Sequence, residues 1–242
     1  MKLVKLDAID STNDFLKRLS NEQPTENFTV VTAENQTKGK GQMGAVWDSE
    51  IGKNLIMSVL IKEFLTNANQ IFNLNIVVSL SVIKALETLQ IPGLSIKWPN
   101  DIMSDNKKVG GILIENSIKS DGSIFSIAGL GLNVNQINFE NLPKASSLAV
   151  VCNHTFNKEQ ILFSIVENIE MHVQNWDAAA QDLWASYAGR LFKKGIPTTY
   201  MNPDGKYFMG IIDGVSTLGK LRILLEDNTV ADFDIKEIQM IY

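Results

Sequence analysis

The middle of the chain holds lysine, aspartate and paired glycines in an arrangement that an apolar strand does not need. The residues form two segments, Lys97-Trp98-Pro99-Asn100-Asp101 and Lys107-Lys108-Val109-Gly110-Gly111-Ile112-Leu113. Two glycines at the head of a strand weaken it, which indicates that a ligand or another backbone approaches closely there. An ordinary turn at Asn100-Asp101 and a solvated lysine pair would explain the same residues, and for Lys107 alone we adopt that explanation. Together the segments place a cation, a carboxylate and bare backbone on one hairpin.

A glycine loop lies earlier in the chain and has the sequence Gly39-Lys40-Gly41-Gln42-Met43-Gly44. It satisfies the G-x-G-x-x-G pattern, but a dinucleotide fold requires a helix on the third glycine, and residues 45–49 have no helical period. A Walker loop is excluded because no Lys-Ser or Lys-Thr follows at the required place. Backbone N–H groups and Lys40 can approach phosphate oxygens, and Trp47 can cover an adenine face. Taken alone, the segment is better explained as a flexible surface loop.

Alternating glycines mark a third segment, Gly129-Leu130-Gly131-Leu132-Asn133. Because alternate residues of a strand share a face, Gly129 and Gly131 leave a flat strip on which a planar ligand can lie. Asn133 can read the polar edge of a base. Close sheet packing explains the glycines about equally well.

A fourth segment, Asp10-Ser11-Thr12-Asn13, precedes a helical pattern. These residue types are the ones that a helix N-terminus selects. The same hydroxyl and amide groups can also pair with a small polar heterocycle.

Helices and short strands alternate around these segments. Helical periods predict helices at residues 13–20 and 71–89, a helix capped by Asn157 with apolar residues up to Val173, and a partner helix at 178–187. β-rich runs predict strands at residues 28–32, 55–61, 94–98, 109–115 and 124–134. Turns at 105–106 and 121–122 predict hairpins, so we expect a mostly antiparallel meander.

The pattern changes after Gly189. Strand candidates without a helical period follow at residues 198–201, 207–212, 220–225 and 229–233, which indicates a small all-β barrel. We therefore predict two domains, residues 1–188 and residues 189–242.

Composition excludes several classes. The 242 residues carry a formal net charge of −5 and a pI near 5.1, with only three arginines, which argues against a dedicated nucleic-acid binder. A single cysteine, Cys152, excludes an intramolecular disulfide, and with two histidines it makes a poor metal set. We find no signal core and no apolar run long enough to cross a bilayer, so we expect a cytoplasmic protein.

The four segments, in this order, resemble the biotin protein ligase family. The resemblance covers nearly the whole chain, and it depends most on Lys-Trp-Pro-Asn-Asp at 97–101 followed by Lys-Val-Gly-Gly-Ile-Leu at 108–113. It implies an α/β (α+β) fold in which the mixed sheet of class II aminoacyl-tRNA synthetases, flanked by helices, carries a small C-terminal SH3-like β-barrel. The repressor members have an additional N-terminal DNA-binding domain, for which we expect no room before Ser11. The loop departs from the arginine-rich pattern of the family, since Lys40 is its one cation.

The resemblance also implies the substrates and a role for each site residue. Biotin and ATP would combine to biotinyl-5′-AMP, with Lys108 and Lys40 stabilising the reacting charges and Asp101 holding Mg²⁺. Biotin would contact the following residues: Ser11, Thr12, Asn13, Gln36, Lys40, Gly41, Gln42, Lys108, Gly110, Gly111, Gly129 and Gly131. ATP would contact Lys40, Gln42, Trp47, Asn100, Lys108 and Asn133. The acceptor would be a lysine in the biotin carboxyl carrier domain of a biotin-dependent carboxylase, with neither DNA nor a membrane as partner.

Two alternatives stay open. A lipoate ligase or octanoyl transferase would share the fold and the acyl-transfer logic, although the chain lacks an Arg-Arg-x-x-Gly-Gly-Gly segment. A non-catalytic biotin-binding regulator would bind biotin without releasing pyrophosphate from ATP. A homodimer is compatible with edge strands at residues 112–114 or 124–127.

Overall fold

A seven-stranded mixed sheet forms the larger part of the protein in the computed structural model, which describes residues 1–119, 122–140 and 142–242. Its strands lie in the order β1-β2-β3-β7-β6-β5-β4. Their bounds are β1 Lys2–Ile9, β2 Thr29–Gln36, β3 Leu55–Lys62, β4 Leu94–Lys97, β5 Asp101–Ser104, β6 Lys107–Ile118 and β7 Ile124–Leu132. The predicted antiparallel meander is confirmed from β4 to β7, because each of these strands pairs antiparallel with the next.

The sequence patterns missed β1, which pairs parallel with β2 at one edge of the sheet. Exposed side chains alternate only loosely along it, so its residues lack a clear period of two. Residues 124–127 are not an edge, because they lie in β7 between β3 and β6. The hairpin turn predicted at residues 121–122 falls only partly within the described residues. Gly122 is described, whereas Asp121 lies outside them.

Five α-helices accompany the strands within the described residues. Their bounds are α1 Thr12–Glu22, α2 Ile71–Thr88, α3 Leu148–Cys152, α4 Lys158–Gln174 and α5 Trp176–Gly189. Ser11 caps α1 and Asn157 caps α4 by accepting backbone N–H groups, as the residue types predict. One face of the sheet packs on α2 and α4, while α1 packs on the other face through Leu16, Val31 and Leu60. The cap on α1 therefore places Thr12 and Asn13 over the centre of the sheet.

Helix α2 corrects one sequence prediction. It is 18 residues long and apolar enough to cross a membrane by length and composition, contrary to the expectation that no run would be. In this protein 61% of it is buried in the interior, where it packs on α4, α5 and the sheet. Its composition is accounted for by its central position in the core.

The predicted all-β C-terminal part is confirmed as a five-stranded antiparallel sheet with the order β11-β10-β9-β8-β12. Its strands are β8 Pro197–Met201, β9 Tyr207–Val215, β10 Leu221–Leu225, β11 Val230–Phe233 and β12 Gln239–Ile241. In this order β11 and β12 are the two edge strands and are not paired with each other within the described residues, so closure of the sheet into a barrel stays a prediction. This C-terminal sheet contacts the larger part where Trp98 Nε1 donates to the carbonyl of Gly219 over 2.9 Å. The C-terminal sheet thereby reaches the turn that precedes Asp101.

Candidate functional site

A cavity of about 250 Å³ opens between α1, the glycine loop and the face of the sheet that carries the paired glycines. Most of the residues singled out in the sequence line it. Its walls comprise Ser11, Thr12, Asn13, Gln36, Lys40, Gly41, Gln42, Ala45, Val46, Trp47, Ile56, Met57, Asn100, Asp101, Lys108, Gly111, Ile112, Leu113, Gly129, Leu130 and Gly131. The four separate segments therefore meet around one cavity.

One end of the cavity is polar and closely hydrogen-bonded. The backbone N–H and the hydroxyl of Thr12 both donate to Gln36 Oε1, over 2.7 and 3.0 Å. The hydroxyl of Ser58 lies 2.8 Å from Thr12 Oγ1 and 2.6 Å from Asn13 Oδ1. Asn13 Nδ2 in turn donates to Glu115 Oε2 over 2.7 Å. These bonds hold several donors and acceptors in fixed orientations, and the amide nitrogen of Gln36 carries two further donors.

The other end carries positive charge around one carboxylate. Lys108 Nζ lies 2.6 Å from Asp101 Oδ1, and Lys97 Nζ lies 3.7 Å from Asp101 Oδ2. Asp101 is the first residue of β5 and Lys108 the second of β6, and a register shift between Ile102 and Met103 sets how the two strands pair. The antiparallel pairing therefore brings a lysine and an aspartate seven positions apart into contact.

Glycines form a flat platform between the two ends. A β-carbon on Gly129 would lie 2.4 Å from Asn13 Oδ1, and one on Gly131 would lie 2.3 Å from Trp47 Cε2. A β-carbon on Gly111 would meet both the ammonium end of Lys108 and the indole of Trp47, each at 3.3 Å. We call Gly111, Gly129 and Gly131 the glycine platform. The predicted flat strip is present, because all three positions face the cavity.

The glycine loop folds back on itself as a small hairpin. Trp47 N donates to the carbonyl of Gly39 over 3.0 Å, and Gly41 N donates to the carbonyl of Ala45 over 2.7 Å. At its tip Met43 has a φ of 55°, a left-handed conformation that is uncommon for a residue with a side chain. The loop is thus a defined hairpin that presents Lys40 and Trp47 to the cavity.

Two charged contacts position this loop. Lys40 Nζ pairs with the carboxylate of Asp14 on α1 at 2.7 Å, and hydrogen bonding to that carboxylate raises the pKa of Lys40. From the turn between β11 and β12 of the C-terminal sheet, Lys236 Nζ donates to the carbonyl of Met43 over 3.0 Å. The loop is therefore tied both to the first helix and to the C-terminal sheet.

Asn100 closes the hairpin beside Asp101. Its Nδ2 donates to the carbonyl of Ile112 over 2.5 Å, while Ile112 N donates to the carbonyl of Asn100 over 3.0 Å. Asn100 lines the cavity, but part of its hydrogen-bonding capacity holds β6 in place.

Two of the residues predicted from sequence lie away from the walls. Gly110 is buried, and a β-carbon there would meet the carbonyl of Gly131 and the side chain of Leu132, each at 3.1 Å, so it serves close packing of β6 on β7. Asn133 is 5% exposed, and its Nδ2 donates to the carbonyl of Ser146 over 3.0 Å. A role for Asn133 in reading adenine stays a prediction.

Sequence reasoning missed Ser58, Asp14 and Glu115, and it singled out Lys97 in a motif without giving it a site role. Ser58 had a detectable signal, because it is the one polar residue in the apolar run 55–61. Asp14 and Glu115 have partners that lie far away in the chain, at Lys40 and Asn13, and no local pattern distinguishes them from surface charges.

A magnesium ion has one candidate ligand here. Among the described residues there is no group of three or more His, Cys, Asp or Glu side chains placed to hold a metal. Mg²⁺ in nucleotide sites, however, usually takes one or two carboxylates, with phosphate oxygens and waters completing its shell. Asp101 lines the cavity as a single carboxylate, so the donor set fits an ion that arrives with phosphates and not one held by the protein alone.

Comparison with known proteins matches residues 6–135 to the model of the biotin/lipoate A/B protein ligase family. The chain is 28% identical over 224 residues to the biotin–[acetyl-CoA-carboxylase] ligase of Mycobacterium tuberculosis, covering 91% of this chain and 82% of that protein. It is 29% identical over 195 residues to the bifunctional ligase/repressor BirA of Bacillus spizizenii, covering 77% of this chain and 59% of that protein. Against BirA of Bacillus subtilis it spans 41% of the relative's length.

Among solved structures, the chain is similar to the biotin protein ligase from Aquifex aeolicus in complex with biotin and ATP. That similarity has a TM-score of 0.80 at 26% sequence identity and covers 99% of this chain and 98% of the other.

Proposed function

The chain belongs to the biotin/lipoate A/B protein ligase family, and we propose that it converts biotin and ATP to biotinyl-5′-AMP and passes biotin to a lysine of a carrier protein. The observation that carries this proposal is the order of groups along one cavity: the polar end at Thr12 and Gln36, the glycine platform, and the cationic end at Lys108. Biotin has a polar ureido ring, an apolar body and a terminal carboxylate in the same order.

The polar end favours biotin over lipoate. Thr12, Asn13, Gln36 and Ser58 present oriented donors and acceptors in a mostly buried place. A ureido ring has two N–H groups and a carbonyl to pair with them, whereas a dithiolane ring has neither. The amide nitrogen of Gln36 has donors left over after these bonds, and each donor that a ligand covers but leaves unpaired costs about 1–3 kcal/mol, so this end selects against a dithiolane.

The cationic end suits the phosphate of ATP and the carboxylate of biotin together. The reaction brings two anions into contact, so cations must already be in place to lower the barrier. Lys108 is held beside the glycine platform by Asp101, and Lys40 is held on the loop by Asp14. We assign stabilisation of the transition-state charge chiefly to Lys108. In this assignment Lys40 and Gln42 contact the phosphate from the loop, Trp47 covers adenine, and Asn100 lines the adenine pocket.

Asp101 is the residue that would hold Mg²⁺ brought in with ATP. The ion would neutralise part of the phosphate charge when bound. In this proposal Lys108 exchanges its contact with Asp101 for the incoming carboxylate and phosphate, which leaves an oxygen of Asp101 available.

In the first step an oxygen of the biotin carboxylate attacks the α-phosphorus, a new O–P bond forms, and the bond to the β-phosphate oxygen breaks with release of pyrophosphate. Lys108 stabilises the charge that builds on the α-phosphate oxygens. In the second step the uncharged amine of the carrier lysine attacks the acyl carbon, AMP leaves, and the amine gives up a proton. Since the mixed anhydride hydrolyses readily, the loop at residues 39–47 has the further task of excluding water.

We place this reaction in the cytoplasm, and the acceptor in the biotin carboxyl carrier domain of a biotin-dependent carboxylase. The Aquifex aeolicus relative, solved with biotin and ATP, and the Mycobacterium tuberculosis relative, named as a ligase for acetyl-CoA carboxylase, support the choice of substrates. A homodimer is supported by one feature: β6 continues to Ile118, whereas β5 pairs with it only as far as Gly111.

The test is to incubate the protein with biotin, ATP, Mg²⁺ and a carrier domain and to weigh the carrier by mass spectrometry. We expect a mass gain of one biotin on a single lysine and release of one pyrophosphate. Replacing biotin by lipoate in a parallel reaction distinguishes the two acids. A gain with lipoate and none with biotin would reverse the substrate assignment.

The second candidate, a non-catalytic biotin-binding regulator, makes a different prediction for the same mixture. It would retain biotin on filtration but release no pyrophosphate. The oriented ion pair of Lys108 and Asp101 favours the enzyme, because binding a carboxylate alone requires one cation and no second charged partner.

A further inference from the structure

Positive charge exceeds negative charge around Asp101. Lys108 and Lys97 each approach a different oxygen of this carboxylate, at 2.6 and 3.7 Å. A third lysine, Lys144, lies close by, since its Nζ is 4.2 Å from the centre of the Tyr242 ring and Lys97 Nζ is 5.4 Å from the same centre. Two ammonium groups thus share the Asp101 carboxylate, and a third lies against the same aromatic ring as one of them.

Lys97 is only weakly neutralised for its position. Its side chain is only 25% exposed, and its distance to Asp101 is too long for a direct hydrogen bond. Burial lowers the pKa of Lys97; the charge of Asp101 opposes this in part, and the positive charges of Lys108 and Lys144 add to the lowering. A partly buried cation with a weak partner gains stability from any anion that reaches it.

Lys108 and Lys97 lie at opposite oxygens of Asp101, and each lines a different cavity. Lys108 lines the cavity with the glycine platform. Lys97 lies across Asp101 and lines an adjoining cavity of about 440 Å³, between the 97–99 turn and the C-terminal sheet, which Lys236 also lines. The distance between Lys108 Nζ and Lys97 Nζ cannot exceed the two contacts to Asp101 plus the width of its carboxylate group. That upper limit is comparable to the length of a triphosphate chain.

We infer that Lys97 and Lys144 bind the β- and γ-phosphates of ATP and hold the pyrophosphate leaving group, while Lys108 faces the α-phosphate. This inference rests on the proposed function and adds the residues on which its leaving group lies. When the bond between the α-phosphorus and the β-phosphate oxygen breaks, the electron pair passes to pyrophosphate. The added charge is then met by ammonium groups already in place.

The experiment uses the full chain with Lys97→Gln, Lys144→Gln and the double substitution. Inorganic pyrophosphate is titrated against each protein by calorimetry, and it is also added as a product inhibitor of biotin adenylation. We expect each single variant to bind pyrophosphate about tenfold more weakly, the size of one charge-assisted hydrogen bond, and the KM for ATP to rise. Biotin affinity should stay within twofold of that of the unsubstituted protein.

Two controls separate charge from structure. Lys206→Gln removes an exposed lysine from a turn of the C-terminal sheet and should leave every constant unchanged. Lys97→Arg keeps the charge and should bind pyrophosphate more tightly than Lys97→Gln. Equal weakening in the arginine and glutamine variants, an equal loss of biotin affinity, or a double variant with unchanged pyrophosphate affinity would each overturn the inference.

Failure of the proposed function has a different signature. If the unsubstituted protein forms no adenylate from biotin and ATP, the proposed function fails, whereas the calorimetric titration of pyrophosphate still tests Lys97 and Lys144 directly.

Discussion

The indole of Trp47 lies directly on Gly131, at a distance that leaves no room for a side chain at residue 131. A β-carbon there would fall 2.3 Å from Trp47 Cε2 and 2.7 Å from its Nε1. Trp47 Nε1 is buried and has no hydrogen-bond partner among the described residues. The ring therefore occupies the glycine platform with a donor still to satisfy, which fits a position where a planar, hydrogen-bonding ligand is to be held.

Gly131→Ala should push the indole off the platform. We expect a shift in tryptophan fluorescence and a loss of ATP affinity of roughly tenfold or more, with the fold retained, because the methyl group points into the cavity. Gly110→Ala is the matched comparison: its methyl group points at backbone and at Leu132, so overpacking should cost about 1–3 kcal/mol of unfolding free energy. Equal loss of stability in both variants would contradict this assignment of faces.

Lys108→Ala should slow adenylate formation without abolishing biotin binding. Removing one preorganised charge partner of a transition state typically costs about 10²–10³ in rate, or 2.7–4 kcal/mol. Rapid-quench measurement of biotinyl-5′-AMP checks the rate, with Lys107→Ala, on the neighbouring exposed lysine, as control. A wild-type rate in Lys108→Ala would remove Lys108 from the mechanism.

Asp101→Asn should raise the concentration of Mg²⁺ needed for half-maximal activity and leave biotin bound. The amide keeps the shape of the side chain but loses the charge that attracts the ion and holds Lys108 at 2.6 Å. Calorimetric titration with biotin and a Mg²⁺ activation curve check the two effects separately. Lost biotin affinity with an intact Mg²⁺ response would reverse the assignment.

Lys236→Ala should loosen the glycine loop. The lost hydrogen bond to the carbonyl of Met43 is partly exposed, so its contribution is about 0.5–1.5 kcal/mol, and the loop should open up to about tenfold more often. Limited trypsin digestion, followed by mass spectrometry of cleavage after Lys38 and Lys40, measures that opening. Lys206→Ala is the control, and identical loop cleavage in both variants would show that the C-terminal sheet does not restrain the loop.

His172 should make the fold less stable in mild acid. It lies between α4 and α2, where its Nδ1 is 3.0 Å from the hydroxyl of Ser81, and burial lowers its pKa from the usual value near 6.5. Below pH 6.5 the unfolded chain takes up a proton that the folded protein resists. Stability is therefore complete above pH 6.5, and it falls as the pH drops toward the lowered value.

Urea unfolding between pH 7.5 and 5 measures this slope. His172→Gln should flatten it, whereas His154→Gln, on the other and exposed histidine, should not. An unchanged slope in His172→Gln would assign the acid sensitivity to other groups.

Local sequence determined the elements and most of the cavity walls. Ser11 and Asn157 predicted their helix starts because a cap is a contact within four residues. The alternation of Gly129 and Gly131 predicted the flat strip, because the period of a strand is set by its own backbone. The 97–113 motifs sufficed to indicate the family.

The face and the partner of each side chain were decided only by tertiary structure. Sequence could not separate Gly111, on the platform, from Gly110, packed in the sheet, because their roles depend on the register of β6 against β5 and β7. Nor could it pair Asn13 with Glu115, Lys40 with Asp14, or Lys236 with the carbonyl of Met43. These contacts join residues up to 193 positions apart, where chain order sets no distance. Sheet register and the docking of the C-terminal sheet bring them together, so the charge balance of the site is a property of the folded chain.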